Sequence, residues 1–129
     1  MLLRLLSIIT WKRAFKPVST LTCTRLAVLI SGNGSNLQAL IDAQLPCGIA
    51  LVISNRPGVK GLERAQAAGI QTLTLPHTDY KDRAAYDAAL DAALAAHDID
   101  FICLAGFMRL LTADFTHKWH NRIINIHPS

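Results

Sequence analysis

The first 24 residues contain no acidic side chain, and the whole sequence contains no C-x-x-C pair, no internal repeat and no long low-complexity tract. Each absence excludes something. Three cysteines, Cys23, Cys47 and Cys103, are odd in number and far apart. Neither a disulfide framework nor a zinc site of the usual close spacing is expected from them. Cys103 lies inside the apolar run FICLA and is expected to be a small core residue, which points to a reducing compartment. The acid-free start, MLLRLLSIITWKRAFKPVSTLTCT, carries Arg4, Lys12, Arg13 and Lys16 and accounts for the whole formal charge of +4. The other nine basic residues balance nine acids, so no basic stripe remains and nucleic acid is not expected as a partner. Arg4 and the Lys12-Arg13 pair confine the early apolar run, which is too short to span a membrane. No membrane partner is expected. No basic region precedes that run and no A-x-A site follows it, so a secretory signal fits poorly. Two readings of residues 1–24 stay open: an organelle-import peptide, or an extension from an upstream start codon.

What is present is a 129-residue chain of globular composition, 51% hydrophobic and 17% charged, enough for one domain with a modest core. From Arg25 onward the pattern alternates. RLAVLI is a continuous apolar run of the kind expected for a parallel strand buried on both faces. A helix is predicted over Asn36 to Gln44, a strand over IALVISN, and a helix over Gly61 to Ala68 with Gly69 as its stop. QTLTL is a weaker strand. The longest helix is predicted from Asp82 to His97, with Tyr86, Leu90 and Leu94 on one face. IDFICLA, a short helix over Ala113 to Trp119, and the strand RIINIHP complete the series. Strands alternating with helices across short loops predict an α/β fold, an open, mostly parallel, doubly wound (Rossmann-like) sheet. The expected division is an extension over 1–24 and a domain over 25–129. An α/β sheet rarely stops on a buried strand, so the domain is expected to be incomplete after its fifth strand.

Between the first strand and the first helix stands SGNGSN, Ser31 to Asn36. It has the position of a dinucleotide fingerprint but not its residues. The third glycine of G-x-G-x-x-G would stand where Leu37 does, and Ser54-Asn55-Arg56 replaces the acid that would grip a ribose. No G-K-[ST] follows, so a Walker-type loop is also excluded. Two readings remain. Gly34, Ser35 and Asn36 form an anion site at a helix N-terminus, or Ser or Asn merely caps that helix.

Two further clusters fall at carboxyl ends of strands, where ligands bind in open α/β sheets. In NIHPS, Asn125 and His127 are two apart on a strand and face one side. An amide beside an imidazole suits oxyanion stabilisation and proton transfer near neutral pH, or His127 is simply a buried histidine bonded to a carbonyl. In AGFMRLL, residues 105–111, Phe107, Met108, Leu110 and Leu111 are expected to line an apolar slot beside Arg109, or to be core. The clusters on strands one, four and five are expected to converge on one edge of the sheet. His117 and His120 have no third ligand nearby in sequence, so no metal is expected. Arg83, at a predicted helix start, either reaches a ligand or is solvated.

LISGNGSNLQALIDA, SNRPGVKGLERAQAAGI, AGFMRLL and INIHPS together closely resemble the phosphoribosylglycinamide formyltransferases, folate-dependent enzymes of purine synthesis. The likeness runs from about Arg25 to Ser129. NIHPS is shared by several enzymes that use formyltetrahydrofolate, whereas SGNGSN singles out those with a phosphosugar to hold. The resemblance implies transfer of a formyl group from 10-formyltetrahydrofolate, as co-substrate, to the amine of glycinamide ribonucleotide. It implies that Gly34, Ser35 and Asn36 hold the phosphate, that Arg83, Met108, Arg109, Leu110, Leu111 and Asn125 contact the folate, and that Asn125 and His127 are catalytic. It also implies an aspartate partner for the histidine beyond Ser129. The alternatives are a formyltetrahydrofolate hydrolase and a non-catalytic phosphosugar-binding fragment. A cytoplasmic location is expected, or an organellar one if residues 1–24 are an import peptide.

Overall fold

The computed structural model describes residues 24–126. The expectations for residues 1–23 and for His127 therefore fall outside the described residues. Nine regular elements alternate along the chain: β1 (Leu26–Ile30), α1 (Ser35–Asp42), β2 (Leu51–Ser54), α2 (Lys60–Ala67), β3 (Gln71–Thr74), α3 (Arg83–Ala96), β4 (Phe101–Ala105), α4 (Ala113–Lys118) and β5 (Ile123–Ile126), with a 3-10 turn at His77–Asp79 before α3. The strands form one sheet in the order β3-β2-β1-β4-β5, and every pairing is parallel.

The central position of β1 follows from its composition. LAVLI carries no polar side chain, and none of its residues exceeds 1% exposure. Its side chains alternate between two cores. Leu26, Val28 and Ile30 pack with Leu37 and Leu40 of α1 and Ala65 of α2. Ala27 and Leu29 pack with Tyr86, Leu90 and Leu94 of α3, with Phe115 of α4 and with Trp119 at its end. Thus α1 and α2 cover one face and α3 and α4 the other. Burying a leucine completely is worth about 1.5–3 kcal/mol, so these two layers supply most of the cohesion.

The reversal in strand order positions the site. The chain builds outward from β1 through β2 to β3, then returns to lay β4 on the other side of β1. Right-handed crossovers then require α3 to lie on the face opposite α1 and α2. The loops leaving β1 and β4 consequently diverge in opposite directions and leave a crevice between them, the switch point at which such sheets bind ligands.

The cysteines depart from expectation at one position. Cys103 is a free thiol at 0% exposure, and burial pushes its pKa up to about 12. Cys47, expected to be unpaired, is disulfide-bonded.

Candidate active site

The turn after β1 has a backbone that glycine makes possible. Gly34 adopts a left-handed conformation, φ +79°, and stands as the N-cap of α1 with no side-chain capping bond. The first backbone donor returned into the helix is Gln38 N–H, to the Gly34 carbonyl at 2.8 Å. The N–H groups of Ser35, Asn36 and Leu37 therefore precede the helical ladder and aim out of its positive end. Capping by Ser or Asn, the alternative left open by the sequence, is not what the turn does.

Helix α2 clamps this turn at very short range. A Cβ on Gly34 would lie 2.6 Å from Gly61 Cα, and one on Gly61 would lie 2.4 Å from Ile30 Cδ1. Gly61 N–H donates to the Gly32 carbonyl at 3.0 Å, and Arg64 Nε–H donates to the Asn33 carbonyl at 2.8 Å. The turn is fixed from outside as well as by its own glycines.

A second set of bonds joins it to the neighbouring loops. Ser31, 3% exposed, donates its hydroxyl proton to Asn55 Oδ1 at 2.6 Å and accepts the Met108 N–H at 2.7 Å. One side chain thus ties together the ends of β1, β2 and β4. In the sequence Asn55 stands out only as one of the residues that replace a ribose-binding acid. The signal available was a serine directly after the apolar β1 and an asparagine directly after β2, where a buried polar side chain must find a partner.

A cavity of about 410 Å³ opens at this junction, lined by Ser31 to Asn36, Arg56, Ala105, Gly106 and Met108. It unites two of the three sequence clusters, and Arg56 brings a positive charge to its wall. Cavities of about 250 Å³ between α3 and α4 and about 300 Å³ beside α1 unite none of them.

The 105–111 cluster divides rather than forming one apolar slot. Phe107 and Leu111 pack inward against the core around Tyr86, whereas Met108 and Leu110 are 79% and 69% exposed. Arg109 lays its guanidinium over the Tyr86 ring, 4.5 Å from the ring centre, so its charge is turned towards α3. Burial pushes the Tyr86 phenol up to about 12, although the Arg109 charge opposes the shift. Arg83 is exposed in the first turn of α3, which starts on the carboxyl side of the sheet.

Asn125 lies on β5 in register with Leu104, which is itself in register with Leu29. Two strand spacings place its Cα about 10 Å from that of Leu29. The carboxyl ends of β1, β4 and β5 are therefore adjacent, as expected. Among the described residues no group of three His, Cys, Asp or Glu is placed to hold a metal, and His117 and His120 are both exposed. No helix among the described residues is long and apolar enough to cross a membrane.

The sequence pattern of the formyl transferase family matches residues 24–129. The chain belongs to the formyl transferase family. It is 55% identical over 111 residues to the trifunctional purine biosynthetic protein adenosine-3 of Drosophila melanogaster, covering 81% of this chain and 8% of that one. It is 45% identical over 108 residues to the phosphoribosylglycinamide formyltransferase of Escherichia coli, covering 81% of this chain and 51% of that protein. Among solved structures, glycinamide ribonucleotide transformylase 1 from Symbiobacterium toebii superimposes with a TM-score of 0.76 at 46% identity, covering 81% of this chain and 51% of the other. The chain spans about half the length of these bacterial formyl transferases. The resemblance carried by SGNGSN, AGFMRLL and INIHPS is thus borne out at family level, and so is the parallel α/β fold.

Proposed function

We propose that this protein takes part in transfer of a formyl group from 10-formyltetrahydrofolate to the amine of glycinamide ribonucleotide. One observation carries the reading: the cavity at the β1–β4 switch point joins an uncapped helix N-terminus to Gly106 and the exposed Met108. A phosphate at Gly34, Ser35 and Asn36 accepts from N–H groups that have no helical partner, with the α1 dipole and Arg56 favouring its charge. Hydrolysis of the same donor, the runner-up, has no use for such a cradle. The relatives whose names specify glycinamide ribonucleotide or purine synthesis support the acceptor.

The donor fits the neighbouring surface. Met108 and Leu110 offer apolar cover for a pteridine, and the exposed Arg83 suits a folate's carboxylate tail. In the reaction the acceptor amine forms a bond to the formyl carbon, and the carbonyl electron pair moves onto oxygen. Asn125 donates to that oxyanion, and His127 takes the ammonium proton and returns one to the folate nitrogen as its bond to carbon breaks. The assignments to Arg83, Asn125 and His127 rest on the family resemblance. The expected domain boundary near residue 25 is kept as part of this reading, as is a cytoplasmic or organellar setting.

Formyl transfer is followed with both substrates, comparing wild type with His127→Ala. Turnover is expected to fall at least a hundredfold, with the dissociation constant for the phosphosugar changed less than about threefold. Undiminished turnover in the variant removes His127 from the chemistry.

A further inference from the structure

Between β4 and α4 residues 106–111 belong to no helix or strand, and Thr112 caps α4, its Oγ1 accepting the Phe115 N–H at 3.2 Å. Two buried side chains grip the backbone of this segment. At one end the Met108 N–H donates to Ser31 Oγ at 2.7 Å, and at the other the Thr112 N–H donates to Asp87 Oδ2 at 2.7 Å. Ser31 and Asp87 are 3% and 4% exposed. The first grip falls on Met108 itself, and between it and the second lie Leu110 and Arg109, the latter seated on Tyr86; Met108 and Leu110 are the large apolar side chains left in solvent among the described residues.

We propose that Ser31 and Asp87 are positioning residues that hold the 106–112 segment by both ends in the shape that receives the donor's pteridine ring. This rests on the reading that the segment contacts a folate. The physical argument is one of preorganisation. A loop with no ladder bonds must be ordered when a ligand binds, and that ordering weakens affinity unless it is already fixed. The Ser31 hydroxyl is itself fixed, because its single proton goes to Asn55 Oδ1 and only its lone pairs remain for Met108. Asp87 sits one residue after Tyr86 on α3, so the grip on Thr112 and the seat of Arg109 move as one rigid unit. Ser31 also begins the turn that faces the phosphate, so the same atom aligns the two halves of the cavity.

The test compares wild type with Ser31→Ala, Ser31→Thr, Asp87→Ala and Asp87→Asn. Binding of tetrahydrofolate under anaerobic conditions and of glycinamide ribonucleotide is measured for each, together with melting temperature. The alanine variants are expected to weaken tetrahydrofolate binding at least tenfold, and Asp87→Ala to change phosphosugar binding less than about threefold. Ser31→Thr and Asp87→Asn retain an acceptor and are expected to stay within about threefold of wild type for both ligands. Folded alanine variants that bind tetrahydrofolate like wild type overturn the inference, as does an equal loss for both ligands in Asp87→Ala. Should the alanine variants not fold, amide exchange in the wild type decides. Protection of the Met108 and Thr112 amides above that of Arg109 and Leu110 supports the two grips, and equal exchange along the segment overturns them. If wild type itself binds no tetrahydrofolate, the reading of the site fails and the inference fails with it.

Discussion

At the scale of single residues, the candidate site depends on what is absent from two positions. Gly34 and Gly61 lack the Cβ atoms that would collide, one with Gly61 Cα and the other with Ile30 Cδ1. Gly34→Ala combines a left-handed backbone with a backbone clash, and each source of strain costs of order 1–3 kcal/mol. Denaturant unfolding is expected to show a loss of about 2–6 kcal/mol on that basis, and phosphosugar binding should fall with it. A loss below about 0.5 kcal/mol, within the range of an ordinary surface change, contradicts the close approach of α2 to the turn. Gly34, Ser35 and Asn36 were legible as a unit because a glycine-rich turn after an apolar strand has few uses. Ser31 and Asn55 were not. Their importance lies in a contact between residues 24 apart, and in a hydroxyl that also reaches residue 108. No local pattern encodes such a bond.

At the scale of elements, the helices were the most legible part. Tyr86, Leu90 and Leu94 recur every four residues, and all three are at 0% exposure on α3. The helix predicted from Asp82 begins there with that residue as its N-cap, and Asp82 Oδ1 accepts the Ala85 N–H at 2.8 Å. Asp82→Ala is expected to cost about 1 kcal/mol in thermal or denaturant unfolding. An unchanged midpoint contradicts that cap. The docking of α4 onto α3 yields a pH-dependent test. Burial works to raise the Asp91 pKa, but hydrogen bonds from Lys118 and Trp119, aided by the charges of Lys118 and Arg122, outweigh it and hold the carboxyl below its ordinary value. A depressed native pKa contributes stability above the unfolded carboxylate range, near 3.9, and that contribution is lost as pH falls through the native value. Lys118 is 61% exposed, so solvent screening limits the effect to about 0.5 kcal/mol. Asp91→Asn should therefore melt slightly below wild type at pH 7, with the gap closing towards pH 2. A gap that widens on acidification has the wrong sign. Segment 106–112 was the least legible element. Its run of apolar residues suggested one slot, whereas the structure turns Phe107 and Leu111 inward and Met108 and Leu110 outward. A stretch without ladder bonds has no fixed period from which such facing can be read.

At the scale of the whole molecule, the alternation of apolar runs with helical spacing made the parallel α/β class legible, because few other folds bury continuous apolar strands on both faces. Alternation does not encode strand order. That β4 returns beside β1 is decided by which faces α3 and α4 cover, and this return brings SGNGSN, Gly106 and Met108 to one cavity. The central claim is that this cavity receives a phosphosugar at the N-terminus of α1. It is tested most directly by calorimetric titration of glycinamide ribonucleotide into wild type and Asn36→Leu, with inorganic phosphate as competitor. The account predicts saturable one-site binding to wild type, displaced by phosphate and weakened at least tenfold in the variant, about 1.4 kcal/mol. Absence of saturable binding to wild type, or equal affinity in Asn36→Leu, contradicts it.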